Sequence, residues 1–227
     1  MAARPGGPKC APPLASGMHT TRRGYLAGAA GAVAGLAGCL GGGGGGGGNC
    51  DAAVSGTVDS MPSPTIGDPD AAVTVKVFED FSCPHCANFS LNVFPRLREE
   101  YVSPGDVAYE HHDLPIPVSQ EWSWAVASAA RSVQDQTDAE AFFAFAKACY
   151  ENQGSYSMSL LSDLGSDAGA EGCAVRAAAN QETYRPVVEA DRQRGIDMGA
   201  EGTPAVFVNG NQVTPSYDAI SAAIDSA

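Results

Sequence analysis

The stretch Phe78-Glu79-Asp80-Phe81-Ser82-Cys83-Pro84-His85-Cys86 runs a hydrophobic strand pattern straight into two cysteines three apart at the opening of a helical one. Residues three apart on a helix lie on one face, so Cys83 and Cys86 can close a short disulfide with little backbone movement. The pair can therefore cycle between dithiol and disulfide. Just upstream, Ala72 to Phe78 is β-branched and apolar and reads as a buried strand. Downstream, Phe89, Val93, Leu97 and Tyr101 recur every four residues, which predicts a helix from Pro84 to about Tyr101 with a kink at Pro95.

Working outward, Pro104-Gly105 turns the chain into a second strand, Val107 to His112, closed by Asp113-Leu114-Pro115. From Ser119 to about Gln193 the pattern is helical. Trp122, Val126, Ala129, Ala130 and Val133 mark one helix, Phe142 to Tyr150 a second, and segments around Leu160 to Leu164 and Thr183 to Arg194 two more. After Gly202-Thr203-Pro204, Ala205-Val206-Phe207-Val208 is a strand and Asn209-Gly210 a hairpin turn leading to a short strand at Gln212-Val213. Ser216 then caps a last helix whose face carries Tyr217, Ile220 and Ile224. The order strand, helix, strand, helical block, hairpin, helix is mixed α/β, without an internal repeat.

The first third of the chain is of a different kind. Residues 1–18 are rich in Pro, Gly and Ala, and translation could equally start at Met18. Thr21-Arg22-Arg23-Gly24-Tyr25-Leu26 resembles a twin-arginine export signal, and its short apolar run ends in Leu36-Ala37-Gly38-Cys39, which resembles a lipobox. On that reading residues 1–38 are a signal peptide and Cys39 is the lipid-bearing first residue of the mature chain. Eight glycines, Gly41 to Gly48, begin a tether over 39–67, with one possible short strand at Val54 to Val58. Residues 68–227 form the folded domain, with its helical insertion at about 118–195, long enough for one core without staples.

Charge narrows the partners. The chain carries 26 acidic residues against 13 basic ones. Removal of residues 1–38, which hold Arg4, Lys9, Arg22 and Arg23 and no acid, would leave a net charge of −17. An acidic surface this poor in lysine argues against nucleic acid and against anionic membranes, leaving lipid on Cys39 as the membrane contact. It resembles the proteins of salt-loving archaea.

From about residue 70 onward the chain resembles the DsbA-like thiol:disulfide oxidoreductases of the thioredoxin superfamily. The residues that carry the likeness are Phe78 to Cys86, Asp113-Leu114-Pro115, the helical insertion, and Gly202-Thr203-Pro204-Ala205-Val206-Phe207-Val208-Asn209-Gly210. The resemblance implies a thioredoxin fold with a helical insertion and no cofactor. Its activity would be extracytoplasmic disulfide exchange with cysteine-containing exported proteins, with reoxidation by a quinone-linked membrane partner. Cys83 is expected to attack and Cys86 to resolve. Pro84 shapes the first helical turn, where its missing N–H matters least, and His85 favours the Cys83 thiolate. Thr203 and a cis Pro204 are expected to face the sulfurs and pair with an extended substrate.

Several residues leave choices open. Family members often bury a carboxylate six positions before the first cysteine, where this chain has Val77. Glu79 or Asp80 could take the Cys86 proton instead, or one could cap local backbone while the other faces solvent. Cys149 and Cys173 are either a structural disulfide or two buried thiols. Cys50 is then free in the tether or pairs between molecules. His111 and His112 invite a copper or zinc module built with Cys83 and Cys86, but neighbours on a strand point to opposite faces, so no metal site is assigned. A reductase or isomerase of the same fold is the other alternative. Trp122 and Trp124 read as packing residues.

Overall fold

The computed structural model describes Cys50 and residues 56–116 and 118–227; the leader, Cys39 and the glycine run lie outside these residues. A five-stranded sheet organises the domain. Its strands in chain order are β1 (Thr65–Gly67), β2 (Val73–Glu79), β3 (Val107–Asp113), β4 (Ala205–Val208) and β5 (Asn211–Val213), and they lie side by side as β1-β3-β2-β4-β5. β2 pairs parallel with β3, so that Glu79 stands beside Asp113, whereas β4 is antiparallel to β2 and sets Ala205 beside Phe78. β2 is thus central, and its C-terminal end delivers the chain into the cysteine pair.

The helix expected from Pro84 is a continuous helical run over 84–102 in four pieces. α1 (Pro84–Asn88) passes into a π-helical turn at Phe89–Val93, then α2 (Phe94–Leu97), then a second π turn at Arg98–Val102. The widened turn before Pro95 absorbs the missing proline N–H, so the run continues past it. Phe89 and Leu97 are buried against the sheet, as their spacing predicts.

Between β3 and β4 stand α3 (Trp122–Gln136), α4 (Ala139–Glu151), α5 (Met158–Asp167), α6 (Gly172–Gln181) and α7 (Arg185–Asp197), and α8 (Tyr217–Asp225) closes the domain. Asp138, Ser157 and Ser216 cap α4, α5 and α8 by accepting from the backbone N–H three residues on. α6 has no counterpart in the sequence reading, because Gly172-Cys173-Ala174-Val175-Arg176-Ala177-Ala178-Ala179 lacks the long side chains that mark a stripe. It packs through smallness instead: a Cβ on Gly165 of α5 would stand 2.8 Å from the Val175 side chain.

Two expectations for the N-terminal side change. The edge strand β1 falls inside the stretch assigned to the tether. Ile66 is buried, the Pro64 carbonyl accepts from His111 N–H at 3.0 Å, and Gly67 at φ +89° brings its Cα so near β3 that a Cβ would lie 2.1 Å from the Val107 oxygen. Of the possible strand at Val54 to Val58, residues 54–55 lie outside the described ones. Val58 is not in a strand: its N–H donates to the Thr183 carbonyl at 2.9 Å, and its side chain joins Met61 over Ala178, Tyr184 and Val187.

The second change concerns cysteine pairing. Cys173 is bonded to Cys50, 123 residues away, and not to Cys149. Cys149 is a fully buried thiol facing inward from α4, while Cys173 sits near the surface at the start of α6, where the N-terminal segment crosses the helical insertion. Depth separates the two cysteines that sequence position had placed in one block. Among the described residues no helix is long and apolar enough to cross a membrane.

Candidate functional site

The turn between β2 and α1 is held from three directions. Asp80, buried, accepts the Ser82 N–H at 2.7 Å through one oxygen and the Ile116 N–H at 2.8 Å and Ser123 hydroxyl at 2.9 Å through the other. It therefore ties the turn to the segment after β3 and to α3. From the helical insertion, Gln153 donates to the Phe81 and Cys83 carbonyls at 2.9 and 3.0 Å, and the Tyr156 hydroxyl reaches the Phe81 carbonyl at 2.9 Å. Cys83 occupies the N-cap position of α1 with extended backbone, and Pro84 takes the first helical position.

Both cysteines are unbonded, so the pair is in its dithiol form. The Cys83 sulfur lies 3.5 Å from the Thr203 carbonyl oxygen, a contact between residues 120 apart in sequence. The Thr203–Pro204 bond is cis. Cys86 is completely buried one turn along, and the Asp80 N–H donates to its sulfur at 3.4 Å. Thr203 and Pro204, with His85, Asn88, Phe89 and Pro215, line a shallow pocket of about 250 Å³ beside Cys83. On the other flank Pro84, Trp122, Gln153 and Tyr156 line a second, of about 280 Å³.

The two thiols are chemically unlike. A hydrogen bond from the Cys86 thiol lowers the Cys83 pKa to about 5; burial opposes this, while the Thr203 hydroxyl and the N–H groups of Cys86 and His85 add to it. The Thr203 hydroxyl is buried with no other partner among the described residues and is free to serve that thiolate. Burial, then the hydrogen bond to Cys83 and the charge of Glu79, push the Cys86 thiol far up, so it keeps its proton. At neutral pH the site holds one thiolate and one thiol. The His85 side chain is exposed, and its backbone N–H is the group that acts on Cys83.

Glu79 and Asp80 are both buried, so neither faces solvent as one of them was expected to. Asp80 is the cap. Glu79 points the other way across the sheet end, accepting from Ser90 at 2.8 Å and lying 3.4 Å from His111 Nδ1. His111 Nε2 is 3.4 Å from Asp113, which accepts from the fully buried Arg131 at 2.7 Å. Arg131 also pairs with Asp191, and Asp191 with His112 at 3.1 Å and Arg194 at 2.7 Å. Burial alone would lower the His111 pKa, but Asp113 and Glu79 outweigh it and raise the value to about 9. His111 is therefore a cation between two carboxylates. The two histidines do face opposite sides of β3, His111 toward Glu79 and Phe142, His112 toward Asp191 and stacked on Phe78 at 4.7 Å.

Trp122 and Trp124 are packing residues, the first 5.9 Å from the Tyr156 ring and the second under the Arg185 guanidinium. Among the described residues no group of three His, Cys, Asp or Glu side chains is placed to hold a metal ion. Sequence reasoning missed the Glu79–His111–Asp113–Arg131–Asp191 chain. Its one visible signal was charged residues set within apolar strands, at Glu79 and at His111 to Asp113.

A buried dithiol with one ionised sulfur, opening a helix beside a cis X-Pro turn on a mixed sheet, is the site of a protein thiol:disulfide oxidoreductase. The chain belongs to the thioredoxin family: the model described as Thioredoxin matches residues 59–226. It is 28% identical over 181 residues to disulfide bond formation protein D of Bacillus subtilis, covering 76% of this chain and 80% of that one. It is 29% identical over 161 residues to the thiol:disulfide interchange protein DsbA of Salmonella typhimurium, covering 69% and 73%. The crystal structure of oxidised BdbD from Bacillus subtilis superposes with a TM-score of 0.67 at 26% identity, over 75% of this chain and 97% of that one. DsbA of Chlamydia trachomatis gives the same TM-score at 20% identity, over 74% and 94%, and shares the fold.

Proposed function

We propose that this protein donates disulfides to exported proteins through the Cys83–Cys86 pair. The observation that carries the direction is the asymmetry of the two sulfurs: Cys83 is ionised down to about pH 5 while Cys86 holds its proton. A stabilised thiolate favours the dithiol form, so the disulfide gives up its oxidising equivalents readily. A client thiolate attacks Cys83 and expels Cys86, the mixed disulfide forms at Cys83, and the client's second thiolate releases Cys83 as the good leaving group. Cys83 is thus the attacked and attacking sulfur and Cys86 the resolving one. Thr203 and Pro204 flank the sulfur where an extended client would lie.

The names of the relatives support the same reading, being disulfide bond formation and thiol:disulfide interchange proteins. Disulfides persist outside the cytoplasm, and the twin-arginine and lipobox resemblances support export, with lipid on Cys39 and the glycines at 41–48 as part of the tether. A donor needs reoxidation, for which we assign a quinone-linked membrane partner. The acidic composition supports work at high salt.

Equilibration of the purified domain against glutathione buffers tests the direction. A reduction potential above roughly −200 mV, with oxidation of a reduced two-cysteine peptide that is lost in Cys83→Ser, is expected. A potential near the roughly −270 mV of thioredoxin would make the protein a reductase.

A further inference from the structure

We propose that the cavity between β3, the helical run and α4 binds a small aromatic carboxylate that carries a hydroxyl at the opposite end of its ring. The inference goes beyond disulfide exchange and uses neither cysteine of the pair.

The cavity, of about 270 Å³, offers different chemistry at each depth. Its floor holds Glu79 and Tyr109, with Ser90 and His111 beside them. The Glu79 carboxylate accepts from Ser90 at 2.8 Å and has His111 Nδ1 at 3.4 Å, which leaves part of its acceptor capacity open. Tyr109 is 2% exposed, close enough to Glu79 to feel its charge, and no hydrogen bond holds its hydroxyl among the described residues. A buried donor without an acceptor is costly. A ligand hydroxyl placed here would give its proton to the Glu79 carboxylate and accept from Tyr109, so one group satisfies both.

Above the floor the walls are aromatic. The Phe94 ring lies 4.5 Å from Tyr109 and 5.5 Å from Phe143, and Phe143 lies 5.8 Å from Tyr109. Rings already packed at such spacings around a space suit a further ring.

The mouth is cationic. Arg98 stands one turn beyond Phe94 on the helical run and Lys147 one turn beyond Phe143 on α4, with side chains 39% and 58% exposed. This is an unusual place to find them. Of the 13 Lys and Arg in the chain four precede residue 39, so nine remain against 26 acids, and Lys147 is one of only two lysines among the nine. Their present partners, Glu140 and Glu151, sit in exposed pairs, which hold weakly and can give way to a ligand carboxylate. Counting the protonated His111, three cations line the cavity against one acid, Glu79. An amine would be repelled at the mouth, and a plain hydrocarbon would leave the floor unpaired. A carboxylate at one end of a ring and a hydroxyl at the other meets both.

The probe for the test is 3-(4-hydroxyphenyl)propionate, titrated into the protein by calorimetry and by backbone-amide NMR. Saturable shifts are expected at Tyr109, Ala144 and Lys147, with a rise in melting temperature as the probe concentration increases. 3-Phenylpropionate, which lacks the hydroxyl, and 4-ethylphenol, which lacks the carboxylate, should each bind roughly tenfold more weakly. Tyramine, which brings an ammonium to the mouth, should not saturate. Tyr109→Phe should shrink the preference for the hydroxyl, and Arg98→Gln with Lys147→Gln should remove the advantage over 4-ethylphenol. Ala144→Trp, at an exposed wall position, should block every probe. No saturable binding, or saturation that maps to Thr203 and Pro204 instead, overturns the site. Tyramine or 3-phenylpropionate binding as tightly as the full probe overturns the ligand class, and an unchanged ranking in the double mouth variant overturns the role of Arg98 and Lys147. Should Tyr109→Phe not fold, the exposed Arg98, Ala144 and Lys147 variants decide by the same outcomes.

Discussion

Cys83 decides the chemistry through the charge it holds, and that charge can be read directly. Thiolate absorbance of the reduced protein should titrate with a midpoint near pH 5, and Cys86→Ala should move it upward, because the leading cause of the low value is the hydrogen bond from Cys86. The sign for stability follows from linkage. A group whose folded pKa lies below its unfolded value near 9 stabilises the folded dithiol fully above that value and loses this effect as pH falls toward 5. Melting of reduced and oxidised protein from pH 8 down to 5 should therefore show the lead of the reduced form shrinking; a constant gap would contradict the ionisation assigned to Cys83. The cysteine pair, Pro84 and Thr203-Pro204 were legible in the sequence because each has a local signature. Glu79 was not, since an acid in an apolar strand shows its depth only when Ser90 and His111 arrive from elsewhere.

At the scale of elements, β2, β3, β4 and the helical run announced themselves by period and by β-branched composition. β1 and α6 did not. Three residues are too few to alternate, and β1 owes its place to Ile66, the Pro64 carbonyl and the bare Gly67 backbone against β3. α6 packs by lack of side chains, which periodicity cannot see. What joins these elements is the buried chain of charges between β3, α3 and α7. Arg131→Met would remove the buried guanidinium shared by Asp113 and Asp191, leaving Asp113 with His111 and Asp191 with His112 and Arg194, and chemical denaturation should register a loss of about 3–5 kcal/mol. The same chain sets a pH window. His111, raised to about 9, contributes stability that is whole below about 6.5 and is lost as pH rises through 9. Asp113, lowered to about 2 chiefly because Arg131 and His111 outweigh its burial, contributes above about 3.9 and fails as pH falls through 2. His111→Gln should flatten the alkaline limb of the stability curve and also weaken the acid limb, because His111 helps to hold Asp113 low.

Across the whole molecule two long-range features act on stability in opposite ways. The Cys50–Cys173 bond closes a loop of more than a hundred residues, straps the segment before β1 onto the helical insertion, and restricts the unfolded chain. Cys50→Ser should cost about 2–5 kcal/mol by denaturant unfolding. The surplus of acid works against the fold. With 26 acidic residues against 13 basic ones, and cations such as Arg96, Lys147 and Arg185 already paired with nearby carboxylates, the remaining surface charges repel one another. Raising ionic strength from about 0.1 M to 1 M shortens the screening length from about 10 Å to 3 Å and removes most of that repulsion. Exposed ion pairs lose strength too, but each is worth only about 0–1 kcal/mol, so the repulsion dominates. The Arg131 cluster is buried and screened far less. Melting temperature should therefore climb with potassium chloride, while the difference between wild type and Arg131→Met should stay nearly constant over the same range. A melting temperature that fell with salt would mean that surface pairs outweigh the repulsion. A difference that closed with salt would mean that Arg131 is not held in the dry interior.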